Sequence, residues 1–151
     1  MPIQKEIYRV AVQSTARDWR SRFERYALVG TRCNKCRKDY YPRRPVCPGC
    51  HSRDVADVQL PHKGTVIAYN VNYLATMGFM QELPMARALV QLDGNGPVVF
   101  SDVVDCDPDS VEIGMRVEMV VRRIKRESNG NVQYAHKWRP VWAGQEGTTS
   151  E

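Results

Sequence analysis

No apolar run in these 151 residues approaches the ~20 needed for a membrane-spanning helix, so membrane passage by helix is not expected. The opening stretch, MPIQKEIYRVAVQ, lacks the apolar centre of a secretory signal and mixes its charges. Cysteine is scarce and oddly numbered. Of five, four fall in two tight pairs, whereas a secreted disulfide scaffold spreads an even count along the chain. These absences make a cytoplasmic protein the default expectation, in which paired thiols persist as metal ligands or redox couples. There is also no internal repeat beyond the two cysteine knuckles.

What is present suits one domain, or a small module attached to a modest one. Hydrophobic residues make up 42% of the chain, which argues against wholesale disorder. The formal charge of +5 is unevenly placed. Residues 1–62 hold 13 Lys/Arg against 6 Asp/Glu, residues 63–115 hold 2 against 7, and residues 116–151 hold 7 against 4. A basic first segment points to a polyanionic partner, either nucleic acid or a phosphorylated cofactor, although a solvated basic surface reads the same way.

Residues 1–13 read as a strand or an extended arm. From Ser14 the pattern turns helical, with Thr15 and Asp18 resembling a capping box and Gly30 a stop signal. Trp19, Phe23 and Tyr26 fall at i, i+4 and i+7, placing three rings on one face that must pack on its own domain or on another chain. After a short run at Val55, Val58 and Leu60, five segments read as strands: 64–73, 86–92, 98–104, 116–125 and 132–138. Asn129-Gly130 is a hairpin turn, and DCDPDSVEIG before residue 116 reads as a turn or one short helical stretch. The five-strand count matches a small Greek-key barrel such as the OB-fold. The expected organisation is an arm and aromatic docking helix over 1–30, a rubredoxin-like zinc ribbon over 31–62, a mainly β OB barrel over 63–142 and a flexible tail over 143–151.

The stretch CNKCRKDYYPRRPVCPGC supplies Cys33, Cys36, Cys47 and Cys50 as two Cys-x-x-Cys knuckles. Tetrahedral zinc takes four thiolates at about 2.3 Å, and a closed four-sulfur shell leaves no open position for water or substrate. Iron in a rubredoxin-like electron carrier is the chemical rival. Rubredoxin knuckles usually carry Gly after the second cysteine, where Arg37 and His51 stand here. Cys106 is alone in an acidic loop with no evident base, an ordinary thiol in this reading. The metal is therefore a fastener, and function is sought on the surfaces it organises. Tyr40, Tyr41, Arg43 and Arg44 between the knuckles can hold phosphates or stack a base. So can Lys125, Arg126, Lys137 and Arg139 on or beside the last strands. The loop LATMGFMQELPM carries Leu74, Met77, Phe79, Met80, Leu83 and Met85, more apolar side chains than a solvated loop needs.

ERYALVGTRCNKCRKDYYPRRPVCPGC, GTVIAYNVNY, DVVDCDPDSVEIGMRVEMVVRRI and YAHKWRPV together resemble one family over nearly the whole chain. It is the zinc-ribbon plus OB-fold acyl-CoA-associated family, long known as a domain of unknown function. Its members are small partners of thiolases and HMG-CoA synthases. The four cysteines match the family's zinc ligands, and Trp19, Phe23 and Tyr26 occupy the place of the helix before the ribbon. The resemblance implies a non-catalytic accessory subunit with structural zinc, docked to a thiolase or HMG-CoA synthase-like subunit and helping to form a CoA or acyl-CoA site. The chain offers no Cys–His–His set of its own for Claisen chemistry. Tyr41, Arg43, Arg44, Lys125 and Arg139 are the candidate CoA-phosphate contacts. Trp19, Phe23, Tyr26, Met77, Phe79 and Met80 are the candidate contacts to a partner or acyl tunnel. A single-stranded nucleic-acid binder stays as an alternative, weakened by the net negative charge of residues 63–115. Isoprenoid synthesis and acyl-CoA degradation are not separated.

Overall fold

The computed structural model describes residues 15–74, 83–126 and 130–142. Two short helices, α1 (Thr15–Arg20) and α2 (Arg22–Ala27), open it. The periodicity predicts one continuous helix, and the break falls at Ser21. Its hydroxyl donates to the Arg17 and Asp18 carbonyls at 3.1 and 3.3 Å, the back-bonding by which serine competes with the helical ladder. The expected capping role of Asp18 gives way to an ion pair, its carboxylate 2.5 Å from the Arg25 guanidinium. The helix ends not at Gly30 but at Leu28, whose φ of 49° turns the chain while its side chain is fully buried.

Gly30 lies instead in the ribbon strand β1 (Val29–Cys33), between β2 (Asp39–Tyr40) and β3 (Val55–Gln59) in an antiparallel sheet of order β2-β1-β3. A Cβ on Gly30 would sit 2.5 Å from the Tyr40 carbonyl oxygen and 2.8 Å from Leu60 Cδ1, so close approach, not a stop signal, requires glycine here. Alternation over so few residues is too brief to show, which hides β1 and β2 from a sequence reading.

The barrel strands fall where the alternation places them: β4 (Lys63–Asn72), β5 (Met85–Leu92), β6 (Val98–Val103), β7 (Arg116–Arg126) and β8 (Val132–Pro140). They close in the order β4-β5-β6-β8-β7, with β4 pairing β7, and form the five-stranded OB barrel. A single 3-10 turn, Pro108–Ser110, precedes β7, with the Asp107 carboxylate accepting from the Asp109 amide at 3.1 Å. Gly130 takes φ of 86°, as a hairpin turn requires, while Asn129 lies outside the described residues.

On β5, Ala86, Ala88, Val90 and Leu92 face inward and the odd-numbered residues alternate with them. Val99 and Val103 of β6, Val117 of β7 and Trp138 of β8 complete the interior. Leu28 and Leu60, from the helix–ribbon half, belong to the same continuous core. The ribbon is therefore fixed to the barrel by shared apolar burial, at roughly 25 cal/mol per Å² removed from water. The barrel's seam is its weakest ladder. The parallel β6–β8 pairing rests on the register Val103↔Trp138, with the Val104 amide donating to the Trp138 carbonyl at 2.8 Å.

Candidate metal centre and docking surfaces

The four sulfurs of Cys33, Cys36, Cys47 and Cys50 lie within 4.8 Å of one another. Cys33 and Cys50 approach to 3.5 Å, and Cys36 and Cys47 to 3.6 Å. Four ligands at 2.3 Å around a tetrahedral ion stand about 3.8 Å apart, close to the two shortest separations here, so the cluster is arranged to hold zinc. The two knuckles are near copies. The Arg37 amide donates to the Cys33 carbonyl at 2.8 Å, and the His51 amide to the Cys47 carbonyl at 3.0 Å. Arg37 and His51 adopt φ of 57° and 56°, the left-handed conformation glycine takes more cheaply. Glycine is thus dispensable at those two positions, and its absence does not keep the knuckles from forming.

Tyr40 completes the surroundings, its hydroxyl 3.6 Å from Cys47 Sγ. A Cβ at Gly49 would stand 2.8 Å from that hydroxyl, so the glycine leaves room for the tyrosine to reach the sulfur. Burial opposes the Cys47 thiolate, yet the Tyr40 hydroxyl and the Cys50 and Gly49 amides bring its pKa down to about 6. Cys33 and Cys47 are buried and Cys36 and Cys50 half-buried. Four sulfurs on one ion would leave no open position for water or substrate, which is the arrangement of a structural zinc site.

Around this clip, Arg43 Nε donates to Glu24 Oε1 of α2 at 2.9 Å, and a second guanidinium nitrogen reaches Asp57 of β3 at 2.9 Å. The Tyr41 hydroxyl donates to the Glu24 carbonyl at 3.3 Å, and its ring meets His136 edge-on at 5.6 Å. Burial, with the Glu24 charge adding to it, pushes Tyr41 up to about 12. Helix, ribbon and barrel are locked together at this point.

Of the five candidate phosphate contacts, Tyr41 and Arg43 are thus engaged within the fold. Arg44 is exposed, and its amide donates to Thr31 Oγ1 at 2.9 Å. Arg139 bonds Glu118 of β7 at 2.7 Å. Lys125 lies opposite Gln133, and Arg139 opposite Glu118, in the β7–β8 ladder. At about 3.3 Å per residue, roughly 20 Å of strand separates them, too far for one phosphate. The five do not converge.

The helix aromatics are solvent-facing: Trp19 is 66%, Phe23 47% and Tyr26 43% exposed. The Arg22 guanidinium lies 4.2 Å from both the Trp19 and Phe23 ring centroids, which stiffens the face by cation–π contact. Met77, Phe79 and Met80 lie outside the described residues. From the same loop Leu74 is exposed and Met85 is buried in β5.

A second apolar surface escaped the sequence reading. Leu89 faces Phe100 across β5 and β6, and Ile67 sits at the β4 bulge beside Leu89. All three are more than one-third exposed on the barrel's outer wall. The signal lies at Leu89, Val98 and Phe100, apolar residues at outward positions of two paired strands that also carry the Arg87–Asp102 ion pair.

Comparison with known proteins follows the same division. The pattern described as the ChsH2 rubredoxin-like zinc ribbon domain matches residues 20–56, and the ChsH2 C-terminal OB-fold domain matches 57–122. A DUF35 domain-containing scaffold protein of Methanocaldococcus jannaschii is 36% identical over 136 residues, covering 89% of this chain and 96% of its own. The chain belongs to the DUF35 family. A structure titled Ltp2-ChsH2(DUF35) aldolase superposes with a TM-score of 0.61 at 28% identity, covering 86% of this chain and 97% of that one. The benzoylsuccinyl-CoA thiolase subunit BbsA of Thauera aromatica is 23% identical over 114 residues, 76% of each chain. Family membership agrees with the resemblance, the fold and the cysteine set. No helix among the described residues is long and apolar enough to cross a membrane.

His136 is a buried titratable residue that the sequence reading passed over. It is buried between Tyr41, Trp138 and α2, and burial lowers its pKa below the ordinary 6.5, ahead of the Arg25 contributions. The folded state therefore favours the neutral ring. Its stabilising contribution is complete above pH 6.5 and is lost as pH falls from there through the lower folded value. Thermal melts from pH 7.5 to 5 should fall more steeply for the wild type than for His136→Gln. Parallel curves would remove His136 as the cause.

Proposed function

We propose that the chain is a non-catalytic accessory subunit of a thiolase-type acyl-CoA enzyme, held rigid by structural zinc at Cys33, Cys36, Cys47 and Cys50. The observation that carries this reading is the exposed Trp19–Phe23–Tyr26 face on α1 and α2, joined by the Asp18–Arg25 ion pair, with α2 tied to the ribbon through Glu24, Arg43 and Asp57. Aromatic side chains on a preorganised support are what a central binding patch uses, and ordering them in advance lowers the entropy cost of association. The names of two relatives, a benzoylsuccinyl-CoA thiolase subunit and an Ltp2-ChsH2(DUF35) aldolase, support a catalytic partner acting on acyl-CoA. In this assignment the partner carries the nucleophile, and this chain docks and walls part of the acyl-CoA site. A thiolase fits this evidence better than an HMG-CoA synthase, which only the sequence resemblance suggests.

The nucleic-acid alternative is disfavoured by charge, since residues 63–115, which include the first three barrel strands, hold 2 Lys/Arg against 7 Asp/Glu.

The test is co-expression with the thiolase-like subunit of the same organism, followed by isolation of the complex. The variant carrying Trp19→Ala, Phe23→Ala and Tyr26→Ala is expected to bind at least about 100-fold more weakly with its melting temperature unchanged, since no residue of α1 or α2 is buried. Recovery of the wild-type chain alone would overturn the assignment.

A further inference from the structure

The zinc knuckles carry exposed positive charge that the fold leaves unmatched. Lys35, Arg37 and Lys38 of the first turn and Arg53 beside the second are all exposed. Among the described residues none of these four side chains has a hydrogen-bond or ion-pair partner. The neighbouring acids are already engaged, Asp39 by two bonds from Arg32 at 2.7 Å and Asp54 by the Asn34 side-chain amide at 2.7 Å. Residues 32–54 hold 7 Lys/Arg against 2 Asp/Glu. A zinc ion with four thiolates carries a formal charge of −2, so three positive charges remain on the segment with the metal bound.

These cations stand on backbone held in fixed relation. The Cys33 amide donates to the Lys38 carbonyl at 3.0 Å, closing the first turn around Lys35 and Arg37. The Asn34 amide donates to the Asp54 carbonyl at 3.1 Å, which joins that turn to the stretch carrying Arg53. Arg37 keeps a long cation at a φ of 57°, where glycine costs least, and an outlier of that kind points to a use for the side chain. Arg44 is exposed as well and lines a cleft with Glu24 of α2 and Val55 of β3, so positive charge continues from the knuckles toward the docking helices.

The surroundings select the kind of polyanion. Neither ring between the knuckles is free to stack a base, since Tyr40 reaches Cys47 Sγ and Tyr41 packs on His136 and bonds the Glu24 carbonyl. That removes the stacking a single-strand binder uses. A small phosphate ester is held by convergent groups in a concave site, whereas these four cations sit on exposed turns of two separate stretches. Dispersed cations on a rigid support complement an extended surface of carboxylates, where charge acts on the rate of encounter more than on the lifetime of the complex. We propose that the zinc knuckles form a steering surface for an acidic face of the catalytic subunit, with Lys35, Arg37, Lys38 and Arg53 supplying the charge. The inference rests on the reading of the chain as an accessory subunit and adds the chemistry of the partner's contact surface.

The test measures association of the zinc-loaded full chain with the thiolase-like subunit of the same organism by stopped flow. The variant Lys35→Gln, Lys38→Gln and Arg53→Gln is expected to associate about ten-fold more slowly than wild type at low salt, with its dissociation rate within about two-fold. Salt at about 1 M, where the Debye length is about 3 Å, should bring the two association rates together. The variant Lys35→Arg, Lys38→Arg and Arg53→Lys keeps every charge and should associate like wild type. Zinc content and melting temperature should be unchanged in both. Equal association rates at low salt would overturn the proposal, and slowing that follows zinc loss would assign the cations to the metal centre instead. Binding of CoA or of a labelled single-stranded oligonucleotide by the chain alone, lost in the glutamine variant while association with the subunit is unchanged, would also overturn it. A complex whose rate ignores salt and these charges removes only this surface, and no complex with any of the chains removes the subunit assignment together with it.

Discussion

Cys47→Ser is expected to abolish zinc retention on gel filtration and to unfold the knuckle segment, leaving the shared Leu28–Leu60 core and the barrel strands folded at a lower melting temperature. Serine offers a hard, weakly acidic hydroxyl where the site needs a thiolate, and three remaining sulfurs do not close the shell. The loss is large because metal binding contributes to folding of such segments, with ~10–16 kcal/mol measured in zinc-dependent peptides. Apart from the metal, residues 33–54 are tied to the rest mainly through Tyr41 and Arg43. Their sheet has a two-residue strand at Asp39–Tyr40, and the knuckle turns rest on the amide bonds of Arg37 and His51. Chelation of the wild type should reproduce the effect, and mild acid should do so reversibly as thiolates are protonated. Metal analysis with near- and far-UV circular dichroism checks this. A metal-free variant with native melting behaviour would show that the clip is not structural.

The same variant separates the clip from the docking face. Glu24 is tied to Arg43 of the ribbon and Arg43 to Asp57, so loss of the knuckle segment frees α2 from its support. Partner affinity should fall in Cys47→Ser although Trp19, Phe23 and Tyr26 are all retained.

How much of this was legible beforehand follows from the length scale of each signal. The cysteine site needs only local spacing, and two Cys-x-x-Cys turns predict the cluster the structure shows. The barrel strands need several residues of alternation, which β5 supplies, whereas β8 buries four residues in succession from Ala135 to Trp138. The helix break at Ser21 depends on one hydroxyl choosing carbonyls over water, a choice periodicity does not register. Gly30 illustrates a different limit. A glycine after a helix reads as a stop, whereas its actual constraint is a carbonyl ten residues later that only the folded sheet brings near. Likewise Arg43 is a plausible phosphate ligand on a string, until tertiary structure sets Glu24 and Asp57 beside it.

Trp138→Ala is the second substitution expected to act strongly, because that one side chain serves both halves of the molecule. Its indole is fully buried in the core that joins Leu28 and Leu60 to the barrel, and its backbone closes the β6–β8 seam. Truncation leaves a cavity where neither the seam nor the ribbon can collapse inward, and a cost of about 3–5 kcal/mol is expected. For a chain of this size that corresponds to roughly a 10–15 °C fall in melting temperature. Trp138→Phe distinguishes packing from polarity. The indole Nε1 is buried without a hydrogen-bond partner among the described residues, so phenylalanine removes an unsatisfied donor while keeping most of the apolar volume. Its expected cost is well under half that of alanine. Calorimetry of both variants should show ribbon and barrel melting together, since their core is shared. Two separated transitions in the wild type would contradict that coupling, and equal losses for phenylalanine and alanine would show that the indole nitrogen has a partner the packing argument does not contain.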